Sequence, residues 1–100
     1  MPSAPSARAV GEPYDIHLAP AATRTIRSTL PEAVAAAVIE FVTGSLVANP
    51  RRVGKPLARE LRGRYSARRG AFRIIYTIDD ADMLVTVLRV EHRSDAYRPR

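Results

Sequence analysis

The sequence predicts an α+β domain in the order β-α-α-β-β-β, an antiparallel sheet with a two-helix hairpin packed on one face. Three observations lead there. A short segment from Tyr14 alternates apolar and polar residues, the period of a half-buried strand. Between Pro31 and Ala48 the apolar residues recur at helical spacing, the mark of an amphipathic helix. After Leu61, three segments rich in β-branched and aromatic residues are separated by glycine and aspartate, as strands joined by tight turns are.

Taken in order, residues 1–13 hold three prolines among Ser, Ala and Gly with no periodicity, so a flexible N-terminal tail is expected. The folded domain is expected over 14–100. Tyr14, Ile16 and Leu18 alternate with Asp15 and His17, giving a short strand. Pro20 suits the first turn of a helix running to about Ser28, with Arg24 and Arg27 on its face. The longer helix is expected from Pro31 to about Ala48, with Thr29 as N-cap and Glu32 near its positive end. Val34, Val38, Phe41, Val42 and Leu46 form its apolar stripe, and Asn49-Pro50 ends it. The short link between the helices makes them an antiparallel hairpin. Leu61 to about Arg68, the Phe72–Thr77 segment and Leu84–Val90 then form a meander, turning at Gly70 and at Asp79-Asp80-Ala81-Asp82. The N-terminal strand adds an edge. Tyr76, in phase with Ile74, belongs to the core, and Arg73 projects from a sheet face, an unusual place for a charge unless that face is a site.

One hundred residues with 46% apolar content suit a single domain with one core. No apolar run approaches the ~18–20 residues of a membrane helix, and the N-terminus lacks the apolar stretch of a signal peptide. A cytoplasmic protein without membrane attachment is expected. Cysteine is absent, which excludes disulfides, thiolate nucleophiles and Cys-based zinc sites. With two histidines, no metal site and no cofactor are expected.

The net charge of +6 is concentrated in one place. From 51 to 73 stand Arg51, Arg52, Lys55, Arg59, Arg62, Arg64, Arg68, Arg69 and Arg73 against the single acid Glu60, so this window carries +8. Such a one-signed excess repels itself and points to a polyanionic partner. Arginine dominates it, and the planar guanidinium suits bidentate phosphate contact.

Arg68, Arg69 and Arg73 flank Gly70 on two adjoining strands and are expected to converge on one phosphate. Arg73 has no acidic neighbour in sequence. His92, Arg93 and Tyr97 follow the last strand and supply types suited to cleavage of a phosphodiester by a ribose 2′-hydroxyl: a proton acceptor near neutral pH, a charge for the phosphorane, and a stacking surface or proton donor. Asp79, Asp80 and Asp82 occupy a turn, where aspartate serves the local backbone, rather than a magnesium site.

The run Arg52-Val53-Gly54-Lys55-Pro56-Leu57, then Leu61-Arg62-Gly63, Tyr65-Ser66-Ala67-Arg68-Arg69-Gly70, Phe72-Arg73-Ile74-Ile75-Tyr76-Thr77-Ile78-Asp79-Asp80, and Val90-Glu91-His92-Arg93 with Tyr97 resembles the RelE toxins of bacterial type II toxin-antitoxin modules, in the RelE/ParE superfamily. The resemblance spans about residues 14–98. It implies a small endoribonuclease that cleaves mRNA in the ribosomal A site by metal-independent 2′-hydroxyl attack. It also implies neutralisation by an acidic, RelB-like antitoxin, with operator DNA bound only by the toxin-antitoxin complex. By the same resemblance Arg68 and Arg73 contact the scissile phosphate, Arg93 adds charge, and Tyr97 stacks on or protonates the substrate. Arg64 and Ser66 fall where some members carry a pair of lysines. The pair is missing here, which leaves the proton acceptor open, with His92 the expected substitute. Arg51, Arg52, Lys55, Arg62, Arg64 and Arg69 are the RNA-binding candidates. The runner-up is a ParE-like toxin that inhibits DNA gyrase without catalysis, against which Arg73, Arg93 and Tyr97 together argue; a third reading is an architectural RNA-binding protein.

Overall fold

In the computed structural model of the chain, which describes residues 12–92, the first strand, β1, is Asp15–Leu18. Two helical stretches follow: α1, Pro20–Arg24, widening into a π-helical turn at Thr25–Thr29, and α2, Glu32–Phe41, widening likewise at Val42–Leu46. The remaining strands are β2 (Lys55–Pro56), β3 (Tyr65–Arg69), β4 (Phe72–Asp79) and β5 (Leu84–His92). They form one sheet in the order β1-β5-β4-β3-β2. The expected α+β architecture is present. The expected tail falls largely on residues 1–11, outside the described residues.

The sheet is mixed rather than antiparallel throughout. Strands β2 to β5 form an antiparallel meander, but β1 pairs with β5 in parallel, Ile16 against Val85 and Leu18 against Val87. Period-two alternation buries the same residues in either direction, so the sequence pattern does not distinguish the two.

Each helical stretch widens at or beside a threonine. The hydroxyls of Thr25 and Thr43 donate to the carbonyls of Ala21 and Ile39, four residues back, at 3.0 and 2.7 Å. A hydroxyl that takes the i−4 carbonyl competes with the backbone ladder, and the wider turns begin at or beside these two residues. Thr29 does not cap α2: it ends the π-helical turn, and Pro31 occupies the N-cap with no side-chain bond. Strand β3 starts at Tyr65 instead of Leu61, because Arg59–Leu61 forms a 3-10 turn and Gly63, at φ 94°, redirects the chain.

The helices cover one face of the sheet. Val38, Phe41, Val42 and Leu46 from the α2 region meet Ala67, Phe72, Ile74, Tyr76, Val85, Val87 and Val90 from β3, β4 and β5. Complete burial of each large member contributes roughly 1.5–3 kcal/mol. Tyr76 anchors the connection between α2 and β3. Its hydroxyl donates to the Pro50 carbonyl, its ring stacks on Tyr65 at 5.6 Å, and burial pushes its pKa up to about 12. Gly54 lies directly over this hydroxyl. A Cβ there would collide with it and stand 2.8 Å from the Ser66 carbonyl oxygen.

One irregularity decides what the other face, uncovered among the described residues, displays. Ile75 pairs with Arg89, but Tyr76 pairs with Val87, so Leu88 is an extra residue, a β-bulge. The bulge reverses the alternation of β5: Val85 and Val87 point into the core before it, and Val90 does so after it. Arg89 and Glu91 are thereby turned to the uncovered face.

Candidate functional site

Register assembles two neighbouring rows on the uncovered face. One runs Arg68–Arg73–Glu91 across β3, β4 and β5. The other runs Lys55–Ser66–Ile75–Arg89 across β2 to β5. Directly opposed residues in a sheet hold their Cβ atoms about 4.5–5.5 Å apart, so Arg68 and Arg73 are side by side, as expected. Two like charges opposed in this way destabilise a strand pair, so the pairing is not a stability device. Glu91 offsets part of the charge. Its carboxylate lies 3.7 Å from the Arg73 guanidinium through Oε1 and 3.6 Å from that of Arg89 through Oε2. Arg73, without an acid near it in sequence, has one across the strand. The sequence reading missed Arg89 and Glu91, since the bulge that orients them has no motif of its own.

Other candidates lie elsewhere. Arg69 opposes Phe72 and is on the helix-covered side, its guanidinium carbon 4.8 Å from the centroid of the Phe41 ring. It does not converge with Arg68 and Arg73, because successive residues of a strand face opposite ways. His92 also opposes Phe72, and alternation gives it the side of Phe72 and Val90, away from Arg73. Arg51 is bound at the far end of β4, where its guanidinium donates to both oxygens of Asp80 at 2.8 and 2.7 Å and the Tyr14 hydroxyl donates to the same carboxylate at 2.7 Å. These bonds hold the Asp80 carboxyl down at about 2. The bond to Asp80 also raises the Tyr14 hydroxyl and the Arg51 guanidinium above their ordinary values. In the same turn Asp79 accepts the backbone N–H of Asp82 at 3.1 Å. Asp79 and Asp80 are occupied by turn and ion-pair contacts, and among the described residues no group of His, Cys, Asp or Glu is placed to hold a metal. Arg52, Arg62 and Arg64 are exposed on the connection between α2 and β3. Arg93 and Tyr97 lie outside the described residues.

An α+β fold of this order, with Arg68 and Arg73 paired on the sheet face opposite the helices, defines a class of small basic proteins. The family of ParE toxins of type II toxin-antitoxin systems (parDE) matches residues 18–97, and the chain belongs to this RelE/ParE superfamily of toxins. It is 50% identical to Toxin RelG of Mycobacterium tuberculosis over 86 residues, covering 86% of this chain and 98% of that protein. It is 45% identical to Toxin RelE of the same organism, covering 86% and 88%. The crystal structure of the toxin-antitoxin complex RelBE2 from M. tuberculosis superposes with a TM-score of 0.80 at 49% identity, covering 82% of this chain and all of that one. Among the described residues no helix is long and apolar enough to cross a membrane.

Proposed function

We propose that this toxin is a ribosome-dependent endoribonuclease that cleaves mRNA in the A site by 2′-hydroxyl attack without a metal, and so arrests translation. The observation that carries this is the direct opposition of Arg68 and Arg73 on the open sheet face. Two guanidiniums at that spacing bracket one phosphodiester and stabilise the charge that develops on its non-bridging oxygens in the phosphorane. Lys55 in the neighbouring row, with Arg52, Arg62 and Arg64 beside it on the connection, extends the positive surface along a nucleic-acid backbone. Arg93 and Tyr97 are assigned charge stabilisation and stacking or proton donation on the resemblance alone. The message is oriented largely by the ribosome, so naked RNA is expected to be cut poorly.

The partner that silences the toxin is proposed to be an acidic, RelB-like antitoxin, operator DNA being engaged only by the complex. An open groove of about 560 Å³ between α2 and the β3–β4 turn is lined by Val34, Phe41 and Phe72, with Arg69 beside them. It suits an amphipathic segment that lays apolar side chains on the domain and brings its carboxylates to arginine.

Purified protein incubated with mRNA-programmed ribosomes is expected to cut the message at the A-site codon, with or without chelator, and to leave gyrase supercoiling untouched. Inhibition of gyrase with intact message would replace this reading by the ParE-like one. Binding of RNA with neither effect would leave an architectural protein.

A further inference from the structure

The two arginines account for the charge of the transition state but not for the proton that leaves the 2′-hydroxyl. Arginine does not serve as a base, since its pKa exceeds ~12. His92 is on the other side of the sheet by register. In the two rows that surround the Arg68–Arg73 pair the side chains are Lys55, Ser66, Arg68, Arg73, Ile75, Arg89 and Glu91, and a single carboxylate stands among them. Resting on the nuclease reading, we propose that Glu91 is the proton acceptor of the cleavage reaction.

Its surroundings suit that task. The carboxylate shares a row with Arg68 and Arg73, so a phosphate held between the arginines brings the adjoining ribose within reach of it. Glu91 is 38% exposed, and both of its ion pairs are long, one oxygen to each guanidinium at 3.7 and 3.6 Å. Exposed pairs of this kind contribute little to stability, and a loosely held carboxylate is free to exchange a guanidinium for a hydroxyl. The groups that face it are Arg73 from β4, Arg89 from β5 and, beyond Arg73, Arg68 from β3. The Leu88 bulge brings it there: without the extra residue, β5 would carry Glu91 on the core side.

The step balances as an internal transesterification. Glu91 takes the proton of the 2′-hydroxyl as the 2′-oxygen bonds to phosphorus. The bond from phosphorus to the 5′-oxygen breaks, and that oxygen takes a proton from water. Glu91 then returns its proton to solvent, leaving a 2′,3′-cyclic phosphate and a 5′-hydroxyl.

Single-turnover cleavage of a programmed ribosome by wild type, Glu91→Gln and Glu91→Asp, measured across pH alongside ribosome binding and thermal melting, tests the assignment. Glu91→Gln is expected to lower the rate by about 10²–10⁴, the usual contribution of general base catalysis, to lose the acidic limb of the pH–rate profile, and to bind ribosomes at least as tightly as wild type. Glu91→Asp keeps the acidic limb at a reduced rate and covers the case in which the amide variant melts early. A Glu91→Gln variant that cleaves at or above the wild-type rate, or that retains the acidic limb, overturns the proposal; a rate increase shows a carboxylate that merely occupies the arginines until substrate arrives. Absence of cleavage by the wild type refutes the nuclease reading itself.

Discussion

At the scale of single residues, charge on the open face and charge at the far end of the sheet have different consequences. If Arg73 stabilises the phosphorane, Arg73→Ala lowers single-turnover cleavage by about 10² or more while ribosome binding falls far less. Arg73→Lys restores only part of the rate, because an ammonium does not reproduce a bidentate fork. Near wild-type cleavage by Arg73→Ala refutes the role. Asp80 is a stability residue. Its carboxyl is held at about 2 by Arg51 and Tyr14, below the ~3.9 of an unfolded chain. The folded state therefore binds fewer protons, so this stabilisation is complete above about pH 4 to 5 and disappears as the pH falls through about 2. Arg51 and Asp80 are both more than half exposed, and solvent screening holds the effect to about 1 kcal/mol or less. Asp80→Asn is expected to lower the melting temperature at neutral pH by at most about 4–8 °C and to melt with the wild type near pH 2. A constant difference across that range contradicts the linkage.

At the scale of elements, the connection between α2 and β3 is fastened from within. Tyr76 reaches out of β4 to the Pro50 carbonyl, and Gly54 leaves the space through which it does so. A methyl group at Gly54 has backbone on one side and a buried phenol on the other, so neither neighbour can give way. Gly54→Ala is expected to cost about 1–3 kcal/mol, the range of overpacking, read as a lower denaturant midpoint with an unchanged slope. A neutral effect would show that the loop relaxes. Much of this level was legible beforehand: the stripe from Val34 to Leu46, the turn at Gly70 and the core position of Tyr76 follow from periodicity and turn chemistry. The π-helical widenings, the late start of β3 and the Leu88 bulge were not legible. Each depends on a local competition, a hydroxyl against an amide or one strand's length against its neighbour's, that residue type alone does not decide.

At the scale of the whole molecule, the excess positive charge is expected to govern encounter. Expression without an antitoxin is expected to arrest growth and translation, and normal growth at confirmed soluble expression would count against the toxin acting on translation. Association with the antitoxin is expected to slow steeply as salt rises from roughly 50 to 500 mM, where the Debye length falls from about 13 to 4 Å. An on-rate indifferent to salt would remove the electrostatic part of that recognition.

The fold class, the helix-covered core and the concentration of arginine between 51 and 73 were determined by the sequence alone, because hydrophobic period and charge density are properties of neighbours along the chain. The family was legible there too. Tertiary structure decided which side chains share a face. Arg68 joins Arg73 while Arg69 turns to Phe41, Arg51 is drawn away to Asp80, and Glu91 comes to Arg73 in place of His92. The reason is the two-residue period of a strand: a single bulged residue exchanges one face for the other, and only the pairing of β4 with β5 shows where that residue lies.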